Sequence, residues 1–302
     1  MRLFDKASEL AVRNLSSDGL TRARNLYMAA RRRMHPLMRR YYGTFDVESL
    51  REHLDTTVGV DFEILMVHSS VNNMQPMYTG SPLELVRMLM DFCGPDRTLA
   101  MPTFYFGEPG LGGPRVVFSK NPRANIRKIP SQVGIVSELF RRSPGVVHSR
   151  HPVYRVSARG PLALALTEGH ETAGTPAGFG TPFDFMAKRN TVILGLGKHI
   201  EVMTQVRHAE YVLGDQFPVP AEPEEAPVAM TVVDGNEEVP FALSARGFQW
   251  QRDIWRLRKI MGADELHEWR FHHVPLFATR ADAVTKALVQ AARRGVTIYR
   301  RP

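Results

Sequence analysis

Thr204, Arg207, His208 and Glu210 are four side chains within one short stretch whose types could do chemistry together. An imidazole can take a proton near neutral pH, a hydroxyl or guanidinium can hold a developing oxyanion, and a carboxylate can orient its neighbours. On a helix, Thr204 and His208 (i, i+4) would share a face, as would Arg207 and Glu210 (i, i+3). The same spacing also suits a helix cap and a solvated face, so the grouping alone does not define an active site. Its position adds weight. The stretch follows an apolar run, Val192-Ile193-Leu194, and a Gly195-Leu196-Gly197 turn. That places it just past a strand end, where open α/β sheets carry their sites.

The elements that must hold such a group are legible as short apolar runs alternating with amphipathic helices, the pattern of an α/β domain. Ile64 to Val67 reads as a buried strand ending in His68-Ser69-Ser70. Those hydroxyls and turn amides suit an anionic or amide-rich ligand, or simply close a turn. Ser81-Pro82-Leu83-Glu84 is a capping box that opens a helix ending at Gly94-Pro95. Thr98 to Met101 is the next strand, and residues 104–130 read as one long Gly-, Pro- and Arg-rich loop. Ser131 is expected to cap a helix, Tyr154 to Ala158 to form a strand, and Gly160-Pro161 to open another helix. Gly180-Thr181-Pro182-Phe183-Asp184 is either a helix entry or a loop that positions substrate. Val228–Val233 and Glu238–Leu243 read as a β-hairpin turning on Asp234-Gly235. A Trp-bearing basic helix is expected through Phe248, Trp250, Ile254, Leu257 and Met261, and a last helix capped at Thr279. The fold expected is α/β, with a mixed or mostly parallel central sheet flanked by helices, an inserted β-hairpin and an N-terminal helical arm.

Composition sets the outer limits. With 302 residues, 43% hydrophobic and 23% charged, the chain is an ordinary globular protein. A single cysteine, Cys93, leaves no disulfide framework or thiolate metal cluster. The histidines lack partners at ligand spacing, so no metal is expected. No apolar run nears the ~18 residues of a membrane helix and no signal-peptide core follows Met1, which points to the cytoplasm. The net charge of +8 is concentrated in residues 1–45, which hold ten basic side chains against three acidic ones. The chain therefore divides into a basic helical extension (1–45) and an α/β domain (46–302). The extension reads as two helices broken near Ser16 to Gly19. Its apolar stripe (Leu20, Ala23, Leu26, Tyr27, Ala30, Met34, Leu37) would dock on the body or on a second subunit in a homo-oligomer. Contact with nucleic acid or an anionic membrane surface is the other reading of its charge.

Six segments occur in an order that resembles the aminoglycoside 3-N-acetyltransferases. They are Leu65 to Ser70, Leu99 to Phe104, Pro130-Ser131, Arg150-His151-Pro152, Gly180 to Asp184, and Thr204 with Ala209-Glu210-Tyr211. The resemblance covers roughly residues 46 to 302. It implies an α/β fold unlike the common small acetyltransferases, acetyl-CoA or another acyl-CoA as co-substrate, and an amine acceptor, usually an aminoglycoside. His68, Ser69, Ser70 and Thr103 would then face CoA. His151, Tyr154, Arg155 and Asp184 would face the acceptor, and Thr204 would stand beside the catalytic histidine.

The chain departs from that pattern at two places. The family's histidine lies three residues after the threonine and three before the glutamate, where this chain has Arg207. Arginine cannot serve as a base near neutral pH. His208 is next door, but one residue on a helix is about 100° of rotation, so it reaches the same cleft only if the turn is distorted or the site shifted. In addition, Tyr154 and Arg155 follow His151-Pro152 where the family usually has a small hydroxyl residue. Two readings follow. In the first, the chain is a CoA-dependent N-acyltransferase acting on an amino sugar or aminoglycoside-like amine by direct attack. His208 would be the base, Thr204 would bind the oxyanion and Glu210 would orient its neighbours. In the alternative, a repurposed or inactive member binds CoA or a sugar ligand without transfer, and Arg207 pairs with Glu210 or an acceptor anion. Arg155 and Arg207 match an acceptor bearing phosphate or carboxylate, such as a nucleotide-linked amino sugar, better than a polycation.

Overall fold

The computed structural model describes residues 33–244 and 246–301. Most of the 1–45 extension, including its first helix and the break near Ser16, lies outside the described residues. Its last helix, α1 (His35–Tyr42), leads into α2 (Val47–Thr57), capped by the Asp46 carboxylate on the Ser49 amide. The central strands come next: β1 (Ile64–Ser69), then α3 (Val71–Met74), α4 (Pro82–Cys93) and β2 (Thr98–Pro102). The stretch read as one loop contains α5 (Pro114–Lys120) and β3 (Arg123–Asn125). After α6 (Ile135–Arg141) come β4 (Val147–His148), β5 (Val156–Arg159), α7 (Ala163–Thr167), α8 (Pro182–Ala187) and β6 (Thr191–Leu196). A 3₁₀ turn, Ile200–Val202, precedes α9 (Val206–Leu213). The chain closes with β7 (Val228–Asp234), β8 (Glu237–Leu243), β9 (Gln251–Arg252), α10 (Leu257–Ile260), β10 (Leu266–Phe271), β11 (Val274–Arg280), α11 (Ala281–Arg293) and β12 (Tyr299–Arg300).

Seven strands form the central sheet in the order β10-β11-β6-β1-β2-β5-β4. β6, β1 and β2 are parallel; β11, β10, β5 and β4 extend the sheet with antiparallel pairs. The parallel centre is buried on both faces, which explains its unbroken apolar runs. Along β1, Ile64 and Met66 enter one core with α8, α9 and α11. Leu65 and Val67 enter the other, with α2, α4 and α6. Burying each such side chain stabilises the fold by roughly 1.5–3 kcal/mol. β6 carries Gly195 because the Phe277 ring of β11 lies where a Cβ would stand. Gly197, at φ +64, ends the strand where a Cβ would meet the Ser70 carbonyl at 2.6 Å. No described helix is long and apolar enough to cross a membrane.

The capping box at Ser81 and Glu84 forms with both bonds. Several other expectations need correction. The inserted hairpin turns on Gly235-Asn236, because Asp234 is already paired with Glu237. It also takes β3 as a third, parallel strand. The expected Trp-bearing helix is β9, a 3₁₀ turn and the short α10. Thr279 caps nothing: it lies in β11 and its hydroxyl donates to the Glu265 carbonyl. Ser131 precedes α6 without capping it; the cap position is Gly134. β10 and β11 are joined by His272-His273, both at positive φ. His273 stacks on Tyr42 at 4.0 Å and His272 Nδ1 donates to the Tyr42 carbonyl. α1 therefore docks through Met38 and Tyr42, while Met34 and Leu37 of the expected stripe are exposed.

Candidate active site

β1, β2 and β6 end side by side, and β1 has its sequence neighbour β2 on one flank and β6 on the other. Beyond their carboxyl ends lies a cleft of about 380 Å³, at the switch point where open α/β sheets bind ligands. His68 and Ser69 from the end of β1 form one wall; Phe104, Phe106 and Gln132 follow β2; Lys198 to Arg207 follow β6. Tyr154 and Arg252 close it. His68 and Ser69 are buried, and His68 Nε2 and Ser69 Oγ have no protein partner. Burying polar atoms unpaired is costly, so these two groups make this wall a candidate to meet a ligand's donors and acceptors. Burial, helped by the Lys198 charge, pushes His68 down to about 3, so its imidazole is neutral at physiological pH.

The segment after β6 departs from the expected arrangement. Thr204 sits in a turn before α9, with its carbonyl accepting from the Arg207 amide at 3.2 Å. Thr204 and His208 therefore do not share a helical face. Gln205, fully buried, donates to the Phe183 carbonyl of α8 and to Thr285 of α11. That anchor fixes the rotation of α9: Val206, Ala209 and Leu213 face the core, and Thr204 and Arg207 face the cleft. His208, one residue further round, points away from the cleft. Its Nδ1 donates to the Ala177 carbonyl at 2.7 Å and its Nε2 lies 3.7 Å from Asp184. Burial lowers its pKa more than the Ala177 bond and the Asp184 charge raise it. The imidazole expected as the base is thus a buried residue between α8 and α9, because a regular helix gives no distortion to bring it round.

Glu210 is buried away from the cleft, where it receives two bonds from Arg252 at 3.0 and 2.8 Å and one from the Tyr299 hydroxyl at 2.7 Å. Burial raises its pKa in spite of Arg252. Its work is to hold Arg252 at the cleft wall. Arg207 makes a cation–π contact with Tyr154, 5.1 Å from the ring centroid. Tyr154 therefore lines the cleft beside Arg207. His151 is one step behind it, its Nδ1 accepting from the Val153 and Tyr154 amides at 3.1 and 3.0 Å.

Four other expected residues lie off the cleft wall. Arg155 is fully buried, bonded to the Ile126 and Ile129 carbonyls and to Thr103. Burial pulls it down to about 9, still protonated, and it ties the 126–129 segment to the sheet edge. Thr103 spends its hydroxyl on Arg155 and Ser157. Ser70 takes the N-cap position of α3. Asp184 accepts from the Gly180 amide and Lys188; burial raises its pKa, but those partners outweigh it and the net shift is down. Lys198, Glu201, Gln132 and Arg252 were not foreseen. Lys198 follows the Gly195-Leu196-Gly197 strand end directly, so its position was readable. Arg252 comes from a distant strand, and nothing in its neighbourhood signals it.

A sequence profile of the aminoglycoside 3-N-acetyltransferase family matches residues 66–293, three quarters of the chain. The chain belongs to that family. Within it, the chain is 34% identical over 100 residues to an aminoglycoside N(3)-acetyltransferase IV from Salmonella sp, covering 33% of this chain and 34% of that protein. It is 28% identical over 160 residues to an aminoglycoside N(3)-acetyltransferase III from Salmonella sp, covering 50% and 54%. The chain thus matches about half, or less, of the length of these curated relatives. Family members of solved structure share its fold. The aminoglycoside acetyltransferase AAC(3)-Xa superposes with a TM-score of 0.70 at 20% identity, covering 88% of this chain and 99% of its own. AAC-IIIb in a binary complex with CoASH gives 0.66 at 16% identity, covering 86% and 100%. At these identities the likeness is one of fold.

Proposed function

We propose that this chain transfers an acyl group, acetyl by preference, from acyl-CoA to an amine of an amino-sugar or aminoglycoside-like acceptor bound in the cleft. Family membership supports the reaction class, and the unpartnered His68 Nε2 and Ser69 Oγ at the end of β1 carry the assignment to this cleft. The cleft fits a CoA arm. Phe104, Val133, Met203 and Ile254 offer apolar wall, while His68 and Ser69 offer hydrogen-bonding groups. Relatives that carry the name aminoglycoside N(3)-acetyltransferase, and a neighbour crystallised with CoASH, point to the same co-substrate.

In this reading the neutral amine attacks the thioester carbon directly. The C–N bond forms, the C–S bond breaks and CoA leaves as its thiol. The cleft holds no cysteine to form a thioester with the enzyme, since Cys93 is buried in α4. Thr204, on the cleft wall, offers its hydroxyl to the carbonyl oxygen as it gains charge. Neutral His68 accepts a hydrogen bond from the attacking N–H. With a pKa of about 3 it is a weak base, so orientation and electrostatics carry more of the rate than proton abstraction. Glu210 acts through Arg252, as a positioning residue.

One observation favours a second reading, in which CoA or a sugar ligand is bound without transfer: Arg207 faces the cleft and no second imidazole joins His68 there. Purified protein with acetyl-CoA and a panel of amines separates the two. The transfer reading expects thiol release matched mole for mole by acetylated amine. Saturable CoA binding without any acetylated product would establish the second reading in its place.

A further inference from the structure

We propose that the acceptor carries a phosphate or carboxylate beside its amine, and that Arg207 and Lys198 receive that anion. The inference rests on the acyl-transfer reading only for the word acceptor; the anion site is argued from the cleft itself. Three cationic side chains line the cleft (Lys198, Arg207 and Arg252), against one carboxylate, Glu201. Arg252 is committed to Glu210 and Tyr299. Arg207 and Lys198 have no ion pair or side-chain hydrogen bond within contact distance among the described residues; Arg207 lies against the Tyr154 ring and its charge reaches Glu210 only at longer range.

Other shielded arginines have fixed partners; the buried Arg155, for one, is held by the Ile126 and Ile129 carbonyls and Thr103. Arg141, Arg150 and Arg252, which are shielded from solvent to a similar or greater degree, are each paired with carboxylates. A guanidinium partly removed from water and left unpaired is costly, and the cost is recovered when an anion arrives. Guanidinium also forms two parallel bonds to phosphate or carboxylate, which fixes orientation as well as charge. A polycationic acceptor would meet two like charges in the same cleft. An anionic amine fits, with its anion on Arg207 and Lys198 and its nitrogen toward His68.

CoA's own phosphates are the other source of the same chemistry, so the test separates them. Calorimetry on the full chain compares glucosamine with glucosamine 6-phosphate, a pair that differs only in the anion, and both with the polycation neamine. The phosphorylated amine is expected to bind at least about tenfold more tightly than glucosamine, with an advantage that shrinks as salt is raised. Arg207→Gln and Lys198→Gln are each expected to remove most of that advantage, and Arg207→Lys to restore part of it. CoA and acetyl-pantetheine are titrated in parallel. Losses confined to CoA, with glucosamine 6-phosphate unaffected, would assign these cations to the donor and overturn the proposal. Tighter binding of neamine than of the phosphorylated amine would overturn it too. Turnover is read separately. Arg207-dependent binding of glucosamine 6-phosphate without its acetylation would uphold the anion site and remove the acyl-transfer reading.

Discussion

The cleft at the ends of β1, β2 and β6 is not the largest hollow in the molecule. A cavity of about 790 Å³ lies beside β4 and α7, lined by Arg127, Arg141, Arg142, Arg150 and His148. By volume and by count of arginines it looks the stronger candidate. Its charges, however, are spent on one another. Arg127 pairs with Asp234, Arg141 and Arg142 with Glu138, and Arg150 with Glu171, Asp234 and Glu237. His148 is bonded to Ser157. The smaller cleft has the opposite character: an imidazole nitrogen and a hydroxyl without partners, and two cations without a close ion pair. Volume therefore does not rank the two hollows; the state of the groups that line each one does. A protein tolerates the cost of an unpaired buried polar atom where a ligand will cancel it.

That contrast can be broken by experiment. The largest effect is expected at His68: His68→Ala should lower kcat/KM on the order of 100-fold, with the fold retained by circular dichroism. Unchanged turnover would put the chemistry elsewhere. Next comes His208→Ala, which removes the bond to the Ala177 carbonyl and leaves a buried gap. It should cost about 2 kcal/mol of stability in urea unfolding while turnover of the folded protein stays within a few-fold. A collapse of kcat in a folded His208→Ala protein would restore this residue as the base.

Acid sensitivity is expected to be smaller at each group and is not confined to either hollow. Burial holds His68 at about 3, while His148 and His170 lie at about 4; the neighbouring arginines add to the shift of His148, and the Pro176 carbonyl bond partly offsets that of His170. These folded values lie below the unfolded one near 6.5. Their contribution is therefore complete above pH about 6.5 and is lost as pH falls toward 4, because the unfolded chain takes up protons first. Unfolding free energies from urea titrations between pH 7 and 5.5, before carboxylates titrate, should fall by on the order of 1 kcal/mol per histidine. A flat profile would show that these rings titrate in the folded protein as they do in the unfolded chain. The smallest effect is expected in the larger cavity. Arg150→Ala should cost no more than about 1 kcal/mol and leave turnover untouched, and lost activity there would reverse the ranking of the two hollows.

Much of this was readable from local signals. The runs Ile64–Val67 and Val192–Leu194 announce strands because both faces of the parallel centre are buried. The Ser81 capping box is legible because its two bonds close within one turn. The β10–β11 hairpin escaped notice because its two-residue loop is His272-His273, and positive φ is usually supplied there by glycine or asparagine. The hairpin at 228–243 was found but misplaced by one residue, since Asp-Gly and Gly-Asn are equally good turn pairs. His68, Ser69, Thr204, Arg207 and Tyr154, picked out by the residues and by the family resemblance, line the cleft. Arg155, Thr103, Asp184 and His151 entered through the family resemblance, and their polar groups are bonded inside the fold.

The linear chain thus contained the α/β class, the strand ends that make the cleft, the order of family motifs and the substitution of arginine at position 207. What it left undecided was which of Arg207 and His208 looks into that cleft. Neighbours on a helix are separated by about 100°, and spacing along the chain says nothing about the absolute rotation of the helix. Gln205 supplies that rotation by bonding to α8 and α11, which are brought to it from about twenty and eighty residues away. The same physics decides the fate of each polar side chain here. Its chemistry is written in its type, but whether that chemistry is free for a ligand depends on distant partners that meet it only when the sheet and its helical layers assemble.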